Sequence, residues 1–184
     1  MHPRDALVGE LRAIGLEARL AEAGRPERRV VGEGWGRRSE LLIEIRGEPI
    51  RWVNVVSKGQ GQKTQYTNIY VIPGSAILDE GWLRGVRVKT IPLFGRVVGL
   101  RWKGKMTVSL IRRLEQDVLL SQTLMRLEED IEIWSDPEFG CWSLLSVQHK
   151  FDRRTARLWQ PPPSAEKWDC YKTIARHLLG HKGT

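Results

Sequence analysis

Two lysines and two glycines stand close together in the stretch VVSKGQGQKTQYTNIY, residues 55–70: Lys58, Gly59, Gly61 and Lys63, with no acid among them. Glycines let backbone N–H groups approach a phosphate closely, and lysines add the charge that holds it. The spacing is not that of a P-loop, which needs G-x-x-x-x-G-K-[ST] opening a helix, because β-branched and aromatic residues follow here. The stretch reads as the polar tip of a hairpin, and a role in anion binding depends on what surrounds it.

The surroundings are basic. Net charge is +8 over the 184 residues. Between residues 49 and 114 there are twelve Lys or Arg against Asp79 and Glu80, a net of +10. Arg84, Arg87, Lys103 and Lys105 join Lys58 and Lys63 as the candidate phosphate contacts of this middle third. Residues 115–138 then carry eight acids against Arg126, a net of −7. Such polarity either produces a one-sided field that attracts anions or brings a basic and an acidic segment together inside one fold.

Eight tryptophans are many for this length, and Trp52 and Trp102 stand directly beside Arg51, Arg101 and Lys103. Aromatic residues interleaved with cations are what single-stranded nucleic-acid surfaces use. Successive residues of a strand point to opposite faces, so the simpler expectation is Trp inward and cation outward. Trp35 and Trp82, in glycine-rich turns, are the two expected to be exposed.

Other chemistries find fewer residues. Cys170, His177 and His181 share a helical arc, but positions seven apart are separated by about 10 Å of helix rise, too far to bind one ion. No metal site or cofactor is expected. The run LEEDIEIWSDPE brings Asp130, Glu132 and Asp136 near a turn without the glycine and regular acid spacing of an EF-hand loop. There is no G-x-S-x-G elbow, and neither Cys141 nor Cys170 has the context of a nucleophile. Two cysteines cannot build a disulfide framework, so reduced thiols are expected. The restriction-type nuclease pattern, an acid followed by acid-x-Lys on a strand, is met only in part: Glu44 has Arg46 in the lysine place, and Glu33 or Glu40 would have to supply the first acid.

The elements that must position these residues follow from periodicity and turn residues. Residues 3–14 read as a helix with Leu7, Leu11 and Ile14 on one face, stopped by Gly15. Residues 16–20, 29–32 and 41–47 are β-prone, then IRWVNVVS (50–57) and TQYTNIYVI (64–72) form the hairpin that carries the opening loop. VRVKTIPLF and RVVGLRWKG add two strands, with Pro92 favouring an edge or a strand end. Residues 108–128 read as one long helix with Ile111, Leu114, Val118 and Met125 on a face. IEIW and CWSLLSVQ flank the turn SDPEFG, and ARLW adds a short strand. Ser164 caps a last helix over 165–179, whose Trp168, Tyr171, Ile174, Ala175 and Leu178 dock on the core.

The order predicts an α+β fold, mainly antiparallel sheet, in a single compact domain over 1–184 with a soft division near 74–84. At 41% hydrophobic and 28% charged the chain can bury a core, and no apolar run approaches the length of a membrane span, so a soluble, cytoplasmic protein is expected. The function expected is a non-enzymatic binding or accessory domain whose basic third contacts an anionic partner, nucleic acid first. A protein-interaction subunit without nucleic-acid contact is the alternative, and a nuclease-like enzyme the third. Nothing in the sequence fixes the oligomeric state.

Overall fold

The computed structural model describes residues 3–22, 37–60, 63–74, 81–89, 97–147, 150–152 and 157–180. The first helix, α1 (Pro3–Ala13), ends as its sequence demands. Gly15 takes φ 88° and donates to the Arg12 carbonyl, while Leu16 donates back to Leu11 and is buried. That pair of bonds satisfies carbonyls the helix end would otherwise leave open.

Four strands then form a meander: β1 (Glu17–Leu20), β2 (Arg37–Arg46), β3 (Trp52–Gln60) and β4 (Lys63–Pro73). β5 (Gly81–Lys89) and β6 (Val97–Lys105) make a separate hairpin. Two helices follow, α2 (Val108–Gln116) and α3 (Val118–Arg126), and then the hairpin of β7 (Ile131–Asp136) and β8 (Cys141–Ser146). This late hairpin enters the gap between the earlier ones, giving the antiparallel order β1-β2-β3-β4-β8-β7-β5-β6. The strands before and after residues 74–84 thus belong to one sheet. Short β9 (Lys150–Asp152) and β10 (Arg157–Trp159) pair with each other, and β10 lies parallel to β4 at Thr64 and Gln65. α4 (Ala165–Leu178) closes the chain.

The expected long central helix is broken at Asp117 (φ −79°, ψ 88°), which is C-cap of α2 and N-cap of α3. Its Oδ1 accepts the Leu120 N–H at 2.8 Å, so an aspartate inside an apolar run acts as punctuation. The turn shifts the buried face of α3 to Leu120 and Leu124, and Val118, expected inside, is exposed.

One face of the sheet carries the helices. Ile43, Ile45, Val53, Val55, Tyr70, Ile72, Leu83, Trp102, Ile131, Ile133, Trp142 and Leu144 meet Leu11, Leu110, Leu114, Leu120, Leu124 and the apolar arc of α4 in one cluster. Tyr70 packs against Tyr171 at 4.7 Å and edge-on to Trp168 at 6.0 Å between centroids. Each such aromatic pair adds about 0.5–1.5 kcal/mol to the burial itself. The opposite face has a smaller cluster of Val56, Ile69, Val71, Cys141 and Leu145 with Trp52 at its margin. No described helix is long and apolar enough to cross a membrane.

Candidate nucleic-acid interface

The face opposite the helices is organised by one row of cross-strand partners. Register places Arg19, Glu44, Trp52, Val71, Ser143, Trp134, Trp82 and Lys105 side by side, in that order, across the main sheet path. The adjoining row runs Leu42, Asn54, Ile69, Leu145, Glu132, Arg84 and Lys103. Trp82 and Trp134 are neighbours on adjacent strands, 41% and 42% exposed, with ring centroids 6.3 Å apart and planes tilted by 32°.

Alternation along β6 explains how Trp102 and its flanking cations divide. Trp102 turns to the helix face and lies over Gly85 of β5, where a Cβ would meet its ring at 3.1 Å. Arg101, Lys103 and Lys105 therefore point to the other face, all exposed, opposite Val86, Arg84 and Trp82. They make no ion pair among the described residues, in which β6 is also the outermost strand on this side. Gly104 allows the close approach here, since a Cβ on it would fall 2.2 Å from the Trp82 carbonyl oxygen.

The expected basic contacts are thus only partly brought together. Lys103 and Lys105 share the face with exposed Trp82. Arg84 lies on that face but faces Glu132, 3.6 Å away. Arg87 is turned to the helix side and donates to Asp130 at 2.9 Å. Two of the basic residues therefore meet the acidic segment, as the pairing expectation has it. Lys58 and Gly59 are at the far end of the β3–β4 hairpin; Lys58 is on the same face as Lys103, but five strand spacings away, about 24 Å across the sheet. Lys63 is the β4 residue opposite Gln60. Gly61 and Trp35 lie outside the described residues, as do Glu33, His181 and the β-prone run 29–32. Trp134 is not singled out by the sequence, and Arg101 is marked there only as a neighbour of Trp102. Trp134 sits in an apolar-looking strand, and only its cross-strand pairing with Trp82 marks it.

Glu44 occupies the other end of the Trp row and is 8% exposed. Nε and Nη2 of Arg19 both donate to its Oε2, at 2.9 and 2.7 Å, while Arg46 and Arg51 lie 4.0 Å from Oε1. A carboxylate enclosed by three guanidinium groups is a poor ligand for a divalent cation, and Glu40 accepts from Ser57 at 2.6 Å. Of the two candidates for the pattern's first acid, Glu40 is thus engaged by Ser57 and Glu33 lies outside the described residues.

A second polar cluster lies under α4. Lys167 pairs with Glu129, whose other oxygen accepts the Ser146 hydroxyl at 2.5 Å, and all three are buried. Gln160 donates to the Ser146 carbonyl and accepts the Asn68 N–H at 2.6 Å, filling the interval between β8 and β10 along β4. Burial pushes the Tyr70 and Tyr171 hydroxyls well up, so both stay neutral. Burial also raises both thiols to about 12, helped by Asp136 at Cys141 and by Glu129 at Cys170. These are groups of the interior. A cleft of about 500 Å³ between α3 and α4 is lined by Asp117, Glu166, Asp169 and Leu119, among others. Each of those carboxylates already has a partner: Asp117 meets the His177 ring nitrogen at 2.8 Å, Glu166 pairs with Arg126 and Asp169 with Lys172.

The fold and this face define an α+β protein with one mainly antiparallel sheet, covered by helices on one side and, toward its β6 edge, presenting aromatic and basic residues on the other. Comparison of the chain with protein families, curated proteins and solved structures finds no match.

Proposed function

We propose that the protein is a nucleic-acid-binding domain, non-enzymatic, that contacts the phosphate backbone through the outer strand β6. The observation that supports it is the set Arg101, Lys103 and Lys105, exposed on one face of an edge strand with no acid opposite them among the described residues. Three cations in a line neutralise phosphates additively, and their release of counterions makes affinity depend on salt. Lys58, with Gly59 beside it, is a separate basic point on the same sheet.

Binding of DNA and RNA oligonucleotides at about 50 mM salt, followed as salt is raised, tests this. Affinity falls steeply with salt, and replacing Arg101, Lys103 and Lys105 by Ala together lowers the slope by about two. Absence of binding to every oligonucleotide in low salt defeats the proposal. A second reading, docking on a partner chain, is favoured by the apolar outer side of α3, where Val118 and Leu119 are 63% and 74% exposed. Its signature is a partner retained on pull-down after nuclease treatment.

A further inference from the structure

We infer that the ligand of this face is single-stranded, with its bases stacked on Trp82 and Trp134 and its phosphates along β6. The inference rests on the nucleic-acid reading above and adds the form of the ligand and its orientation.

Three observations carry it. The first is that two indoles stand together, each about two-fifths exposed, on β5 and β7 near the β6 edge of the sheet face, while Trp102, Trp142 and Trp168 are buried on the helix side or in the core. Exposed aromatic rings gain from contact with the π-face of any base, and an unpaired base offers that face without first being pulled from a duplex stack. The second is the charge gradient across the face. Cations line the β6 side of the Trp pair, whereas the β7 side carries Glu132, paired with Arg84, and Asp136, which accepts the Phe139 N–H at 3.3 Å. A phosphate chain is drawn to the β6 edge, where the cations are unanswered, rather than to the β7 side, where Glu132 is already paired and Asp136 adds negative charge, so the bases are the part turned inward over the rings. The third is spacing. Arg101, Lys103 and Lys105 are two residues apart on a strand, about 6.7 Å each, which is comparable with the phosphate repeat of an extended single strand. Exposed Phe139, in the turn after Asp136, adds an aromatic residue at the same end of the sheet.

A duplex keeps its base faces covered and would meet only the cations. The two ligand forms therefore respond differently to the same substitutions. The experiment is a fluorescence-anisotropy titration of the full chain with labelled oligothymidylate, oligouridylate and a duplex of equal length, across a salt series. The expected result is tighter binding of both single strands than of the duplex. Trp82→Ala or Trp134→Ala weakens single-strand binding roughly fivefold to a hundredfold each, leaves the salt slope unchanged, and is partly rescued by Phe. Quenching of tryptophan emission on saturation gives a readout on the unsubstituted protein.

Equal affinity for duplex and single strands, or no loss in the Ala variants while the β6 cations still set the slope, overturns the stacking inference alone. No binding of any oligonucleotide overturns both it and the reading on which it rests. A preference between the thymidylate and uridylate arms assigns DNA or RNA as the source of the strand.

Discussion

The two ends of one row of the sheet use the same residue types to opposite effect. At the β1–β3 end, Arg19, Arg46 and Arg51 surround Glu44, and Glu17 takes a second contact from Arg46 at 3.4 Å. At the β6 end, Arg101, Lys103 and Lys105 line the strand and no carboxylate answers them among the described residues. The first cluster sets two carboxylates among its three guanidinium groups, so most of its charge is answered within the fold. The second is left to solvent and to whatever anion reaches it. Counting cations along the chain cannot distinguish these ends; only the position of an acid beside them can.

The largest effect expected from breaking this contrast is at Glu44. Replacing it by Ala removes the acceptor of the Arg19 hydrogen bonds and leaves three guanidinium groups facing one another, which costs about 1.5–3 kcal/mol in urea unfolding. A variant as stable as the parent would show that the arginines reach water freely and that the cluster is not structural. A smaller effect sharpens the other end. Glu132→Gln releases Arg84 from its partner and adds a cation to the β6 side, so the salt slope for single-strand binding steepens by about 0.7 with little change in stability. An unchanged slope would mean that Arg84 does not reach the bound strand. The smallest effect is on folding when Lys103 and Lys105 are both changed to Ala. Stability stays within about 0.5 kcal/mol, since neither makes a contact the fold depends on. Lysines on an edge strand also discourage pairing with another sheet. Aggregation of this double variant with no loss of oligonucleotide affinity would assign them that role instead.

Individual elements were legible where local chemistry is decisive. The Gly15 stop, the Ser164 cap, the buried arc of α4 and the β3–β4 hairpin all follow from spacing and turn residues, and each is present. The break at Asp117 was signalled by an aspartate before an apolar run, but the hydrophobic period continues past it and conceals the turn. Short β9 was not expected at all, as three residues carry too little pattern.

For the candidate site, Trp82 is exposed as expected, though within strand β5 and not in a turn, and Lys103 and Lys105 could be read from alternation. Their grouping could not. The basic middle third and the acidic stretch after it suggested either a charged surface or internal pairing, and the molecule contains both: Arg84 and Arg87 pair, whereas Lys103 and Lys105 do not.

The sequence by itself determined the α+β class, the antiparallel character of the sheet, the caps and the division of side chains between the two faces of each strand, because these depend on interactions over a few residues. Tertiary structure alone decided that β7 and β8 enter between β4 and β5. That insertion sets Trp134 beside Trp82, Glu132 beside Arg84, and the hairpin tip at Lys58 far from β6. Strand order is fixed by which hydrophobic faces fit together in three dimensions, and no local period records it.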